Sequence, residues 1–103
     1  MVERHHARDA LDSFGITHNI NMCMEECAEL VVALNHYRRN RCTKGDVYEE
    51  IADVRIMLDV MLEMLDPSGD RTEYTDIERM KVNRMMSRIE DERKRLKAHG
   101  CTH

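Results

Sequence analysis

The amino-acid sequence predicts an all-α fold of four helices, and three observations carry that reading. Apolar residues recur at helical rather than strand spacing, one proline interrupts 103 residues, and turn-forming clusters fall in only a few places. Hydrophobic residues make up 42% and charged residues 35%, the balance of a helical protein rather than of a disordered chain or a β-sandwich. At this length residues 1–103 are expected to form a single domain with a modest core, one that a partner chain could complete. Nine methionines against one phenylalanine and no tryptophan make that core soft and unbranched.

The first helix is predicted from about Val2 to Phe14 and stops at Gly15, a common C-terminal residue. Thr17 or Asn19 is the expected cap of a second helix that continues to about Arg39. Asn40 to Asp46 (NRCTKGD) reads as a turn, with Asp46 as N-cap of a third helix ending near Leu65. DPSGD, Asp66 to Asp70, breaks the chain again before a fourth helix from about Thr75 to Lys97.

Carboxylates interrupt the apolar pattern in two places. In MEECAELVVAL, Met24 to Leu34, Ile20, Cys23, Met24, Cys27, Leu30, Val31 and Leu34 form one stripe, while Glu26 and Glu29 share a flank with Met22 and Ala33. On the third helix, with Val47 at zero and about 100° per residue, Val60, Met64, Met57, Met61, Val54, Val47, Leu65, Leu58, Ile51 and Leu62 fill one arc. Glu50 and Asp53 fall inside that arc, and Glu49 sits at its edge. Asp59, Glu63 and Arg55 fall on the far side, where water is expected. Residues three apart are neighbours on a helix, so Glu26 with Glu29, and Glu50 with Asp53, each present two carboxylates to one point. A short turn favours antiparallel packing, which lets all four converge. Carboxylates that lose hydration must be protonated, paired with cations or bound to metal, and hard oxygen donors without His or Cys select magnesium or manganese.

At these residues the chain resembles the all-α nucleoside triphosphate pyrophosphohydrolases, the MazG-like superfamily that includes dimeric dUTPases and dCTP pyrophosphatases. Their EExxE, spacer, ExxD signature reads here as Glu25, Glu26 and Glu29, a spacer of twenty residues, then Glu50 and Asp53. The likeness is close over about Asn19 to Leu65 and looser along the fourth helix, through Lys81, Asn83 and Arg84. It implies cleavage of a nucleoside triphosphate between its α and β phosphates, Mg2+ (or Mn2+) held by Glu26, Glu29, Glu50 and Asp53, and assembly as homodimers or homotetramers. A spare carboxylate, Glu25 or Glu49, is a candidate base, as is the metal ligand Glu26. Phosphates also need cations. Lys81, Arg84, Arg88 and Arg95 share one side of the fourth helix; Lys81 and Arg84 are the better phosphate candidates, with Arg38 at the end of the second helix, and Arg95 reads as surface. The chain departs from the family in having no tryptophan and in placing Asn19 where a glutamine is common. Asn19 is a candidate contact for a base or sugar, with capping as its alternative role. Phe14, His18, Tyr37 and Tyr48 are candidates for stacking, with ordinary packing as the alternative.

A formal charge of −4 gives no footprint for nucleic-acid polymers, and no apolar run is long enough to span a bilayer. With no secretory h-region at the N-terminus, the expected location is cytoplasmic. Cys23 and Cys27 read as reduced core thiols. His99, Cys101 and His103 form a terminal cluster that could catch a metal, the alternative being a frayed tail. Two other functions compete. An oxygen-activating carboxylate-bridged bundle would need E-x-x-H pairs on core helices, whereas the one here, Glu3 to His6, lies at the N-terminus, where fraying is expected. A non-catalytic nucleotide-binding or regulatory helical module would keep the fold and lose turnover.

Overall fold

A computed structural model describes residues 2–100. Four helices account for nearly all of them, and no strand occurs among the described residues: α1 (Arg4–Phe14), α2 (Ile16–Arg38), α3 (Lys44–Leu65) and α4 (Thr72–Ala98). The chain divides into two compact units, residues 2–69 with the first three helices and residues 70–100 with the fourth. His99, at the C-cap of α4, is described, but Cys101 and His103 of the terminal cluster lie outside the described residues.

Within the first unit α2 and α3 lie against each other, and α1 packs on both. Gly15, at φ 84°, is at once the C-cap of α1 and the N-cap of α2, a backbone angle that glycine adopts without a Cβ penalty. This moves the start of α2 ahead of both expected caps. Thr17 and Asn19 are already helical, and the Asn19 amide nitrogen donates to the carbonyls of Ala10 (3.0 Å) and Gly15 (2.7 Å), fastening the corner between the two helices. The far end of α2 closes in a Schellman motif. Asn40, at φ 58°, donates to Tyr37 O, and Arg41 N donates to His36 O.

Thr43, not Asp46, caps α3. Its hydroxyl accepts from Asp46 N, while the Asp46 carboxylate accepts from Thr43 N at 2.8 Å and from the Thr43 hydroxyl at 2.9 Å. The reciprocal box satisfies two donors where a lone Asp46 cap would satisfy one, so the helix starts a turn earlier. These bonds, the backbone one first, hold the Asp46 carboxyl below its ordinary range.

The core is small: Ala7, Val47, Val54 and Val60 are buried, together with two polar residues, Asn19 and Glu63. Glu63 overturns the expectation of a solvated face, because α1 covers that side of α3. Only 1% of it is exposed, and its carboxylate accepts from Arg4 Nε (2.9 Å) and Arg4 NH2 (3.1 Å), with Arg8 Nε 3.8 Å away. Asp59 on the same side accepts from Val2 N, and Arg55 is exposed as expected. Because Val2 and Arg4 are both tied to α3, the start of α1 is anchored rather than frayed.

The stripe expected as the core of α2 is largely open. Met24, Val31 and Leu34 on α2, and Ile51, Leu58 and Leu65 on α3, are all exposed, Val31 by 62% and Leu65 by 69%. At about 100° per residue both stripes stand roughly a quarter turn from the α2–α3 contact, on the side away from α1. Ile20, Cys23 and Leu30 of the α2 stripe are half-buried, as are Met22, Glu26 and Ala33 on the flank that carries the acids.

In the second unit α4 begins at Thr72, where Asp70 accepts from Thr72 N, three residues before the expected start. Its surface carries Tyr74–Glu78, Asp76–Arg79 and Glu92–Arg95 pairs, the last placing Arg95 in a surface ion pair as expected.

Candidate metal centre

Antiparallel packing brings the acidic pairs of α2 and α3 to one level. The Ala33 carbonyl accepts from Cys42 Sγ near the turn, and further along Glu26 and Glu29 meet Glu50. One carboxylate oxygen from each of Glu26, Glu29 and Glu50 lies within 4.8 Å of the other two. Asp53 is exposed at the rim and acts electrostatically on both Glu26 and Glu50.

Burial pushes the Glu26 carboxyl up, and Glu29, Asp53 and Glu50 push it further. Glu50 is likewise raised by burial first, then by Glu29, Asp53 and Glu49. A carboxyl in this position either takes a proton or finds a cation. Glu26 Oε2 and Glu50 Oε2 are buried oxygens without a hydrogen-bond partner. Buried acceptors are normally paired, so an orphaned oxygen on each of two carboxylates that belong to one cluster fits a cation held between the helices.

A cavity of about 340 Å³ opens beside the cluster, walled by Glu29, Val32, Ala33, His36, Cys42, Asp46, Glu49 and Glu50. His36 and Cys42 were not among the residues that sequence reasoning selected. The signal for His36 was available: it lies seven residues after Glu29, about 20° away on the helix wheel. Cys42 reaches the wall through the turn geometry, which carried no such signal.

The remaining predicted residues are placed as follows. Glu49 lines the cavity, while Glu25 is exposed and contributes no atom to the three-residue group. Arg38 is exposed and donates to Asn35 Oδ1 at 2.8 Å. Asn19 is only 3% exposed, with its amide nitrogen committed to the α1–α2 corner. Lys81, Asn83 and Arg84 belong to α4 in the second unit, and all three are exposed. Phe14 stacks at 5.1 Å on His18, and Tyr37 and Tyr48 are exposed. Cys23 and Cys27 are free thiols, with burial and the neighbouring Cys27 raising Cys23. Among the described residues no helix is long and apolar enough to cross a membrane.

No family model, no curated protein and no solved structure matches this chain.

Proposed function

We propose that this protein is a Mg2+-dependent nucleoside triphosphate pyrophosphohydrolase, with Mn2+ as a competent substitute, cleaving (d)NTPs to (d)NMP and pyrophosphate. The observation that carries the reading is that Glu26 and Glu50, each with a buried oxygen lacking a hydrogen-bond partner, cluster with Glu29 across α2 and α3. The EExxE and ExxD phrases supply the reaction class, and the acids supply a chemistry consistent with it.

Glu26, Glu29, Glu50 and Asp53 are the residues that would hold the ion. A divalent ion held there would supply neutralisation of phosphate charge and orientation of a water for attack. The protein's own part is to hold three carboxylates together, with Asp53 acting on Glu26 and Glu50 from an exposed position, and to accept the proton of that water. Glu49 suits the second task better than Glu25, since it stands on the cavity wall beside Glu50. Water oxygen bonds to phosphorus, the bridging P–O bond breaks, and pyrophosphate departs. Arg38 is the proposed substrate contact outside the cluster within the first unit, its cation balancing phosphate charge; Lys81, Asn83 and Arg84 of α4 are proposed contacts on the resemblance alone. Asn19 is proposed to act on the corner that positions α2 rather than on the nucleotide.

The open stripes of α2 and α3 support assembly of two or four copies. Six large apolar side chains on one side of a helix pair form the kind of patch that monomers rarely leave in water.

The test is pyrophosphate release from a panel of NTPs and dNTPs with Mg2+, with Mn2+ and with EDTA. Metal-dependent release supports the enzyme. Folded protein that binds Mn2+ and nucleotide without turnover would replace it with the non-catalytic module.

A further inference from the structure

Neighbouring residues on a helix point about 100° apart and do not face each other. His5 and His6, in the first turn of α1, nevertheless have ring centroids 4.0 Å apart. Glu3, the N-cap residue, places its carboxylate 3.2 Å from His5 Nδ1. One donor atom from each of the three side chains lies within 4.8 Å of the other two, and all three side chains are exposed.

We propose that Glu3, His5 and His6 form a second metal site, separate from the acidic cluster and taking a borderline divalent ion of the zinc class. Imidazole favours zinc, nickel, copper and cobalt, whereas magnesium selects oxygen-only sites, so the two clusters would sort ions by donor type. At metal–ligand distances of about 2.0–2.2 Å, adjacent donors stand a little over 3 Å apart. The Glu3–His5 spacing already meets this, and His6 closes the set by turning about exposed χ angles.

The turn that carries these donors is held at both ends of its backbone. The Glu3 carbonyl accepts from His6 N (3.0 Å) and Ala7 N (3.2 Å), fixing the start of the helix. Arg4, between the ligands, is clamped to the buried Glu63 carboxylate and also donates to Pro67 O. Val2 N donates to Asp59. The three side chains therefore project from an anchored turn. Three protein ligands leave a position for water, and closure of the set would staple the N-cap to the first turn.

The experiment is a calorimetric titration of the full chain with Zn2+ under excess Mg2+, which occupies oxygen-only sites. One zinc equivalent is expected, with affinity at least about tenfold weaker in His5→Ala and in His6→Ala, as expected when a ligand is lost. Glu50→Gln and Cys101→Ser leave it unchanged. Each variant is checked for helix content, and His5→Gln with His6→Gln repeats the test should an alanine variant unfold. The proposal is overturned by absence of zinc binding, by unchanged affinity in the double glutamine variant, or by affinity that follows Cys101 instead. Loss of pyrophosphohydrolase activity does not bear on it, since the two sites share no residue.

Discussion

Asn19 has two candidate roles, base or sugar contact and structural fastener, and one pair of substitutions separates them. Its side-chain nitrogen makes two hydrogen bonds, at 3.0 and 2.7 Å, in a residue only 3% exposed. At about 1 kcal/mol net for each, Asn19→Ala is expected to destabilise the fold by about 2 kcal/mol. In a domain of this size each kcal/mol lowers Tm by about 4–8 °C, so a fall of roughly 10 °C is expected. Asn19→Asp is nearly isosteric but puts an acidic oxygen where the amide donated to two carbonyls. It should melt lower still at neutral pH, because a buried carboxylate would face acceptors only. The assay is thermal melting by circular dichroism, with KM for nucleotide measured below the transition. Unchanged melting in both variants, with KM raised severalfold, would refute the structural assignment and return Asn19 to the nucleotide.

Other consequences follow from the same geometry. Glu26 and Glu50 are raised in the folded state above the ordinary glutamate value of 4.5, so their ionisation costs the fold stability as pH rises through the raised values. Metal-free protein should therefore melt lower at neutral than at mildly acid pH, and Glu50→Gln should raise the neutral Tm in EDTA while weakening Mn2+ binding. Asp46 is shifted the other way: its contribution is present above the ordinary carboxyl value and is lost as pH falls through the lowered one. Thr43→Ala, which removes the reciprocal cap, should cost about 1 kcal/mol in chemical denaturation. In sedimentation, the parent chain is expected as the proposed oligomer and Val31→Glu with Leu58→Glu as monomer with undiminished helix content, since both side chains are exposed within the chain.

The meeting of Glu26, Glu29 and Glu50 was legible because its signal is local and doubled, two acidic pairs on helices joined by a short turn, while Asp53 of the second pair is exposed and outside the group. Helical identity was legible for the same reason, with the ends at Phe14 and Leu65 as expected and the other boundaries off by one to four residues. The N-terminal boundaries moved where capping is cooperative. Thr43 and Asp46 are both good caps singly, and only their reciprocal bonding decides between them. Glu63 was misread because a wheel drawn for one helix cannot anticipate a third helix laid over its polar side. Arg4 and Arg8, four residues apart on α1, are the complementary mark of that contact, but their partner could lie anywhere in the chain. The open stripe on α2 has a related origin: apolar periodicity says that a face seeks cover without saying which chain covers it.

The proposed activity requires Glu26, Glu29, Glu50 and Asp53 to act as one metal centre for nucleotide cleavage. The deciding measurement is product analysis of a nucleoside triphosphate incubated with Mg2+ and either the parent chain or Glu50→Gln combined with Asp53→Asn. Monophosphate and pyrophosphate in equal amounts are expected from the parent, and a loss of at least about tenfold in the variant, the lower end of what removing groups that orient a metal ligand costs. Equal Mg2+-dependent turnover by parent and variant, or diphosphate and phosphate as products, would contradict it.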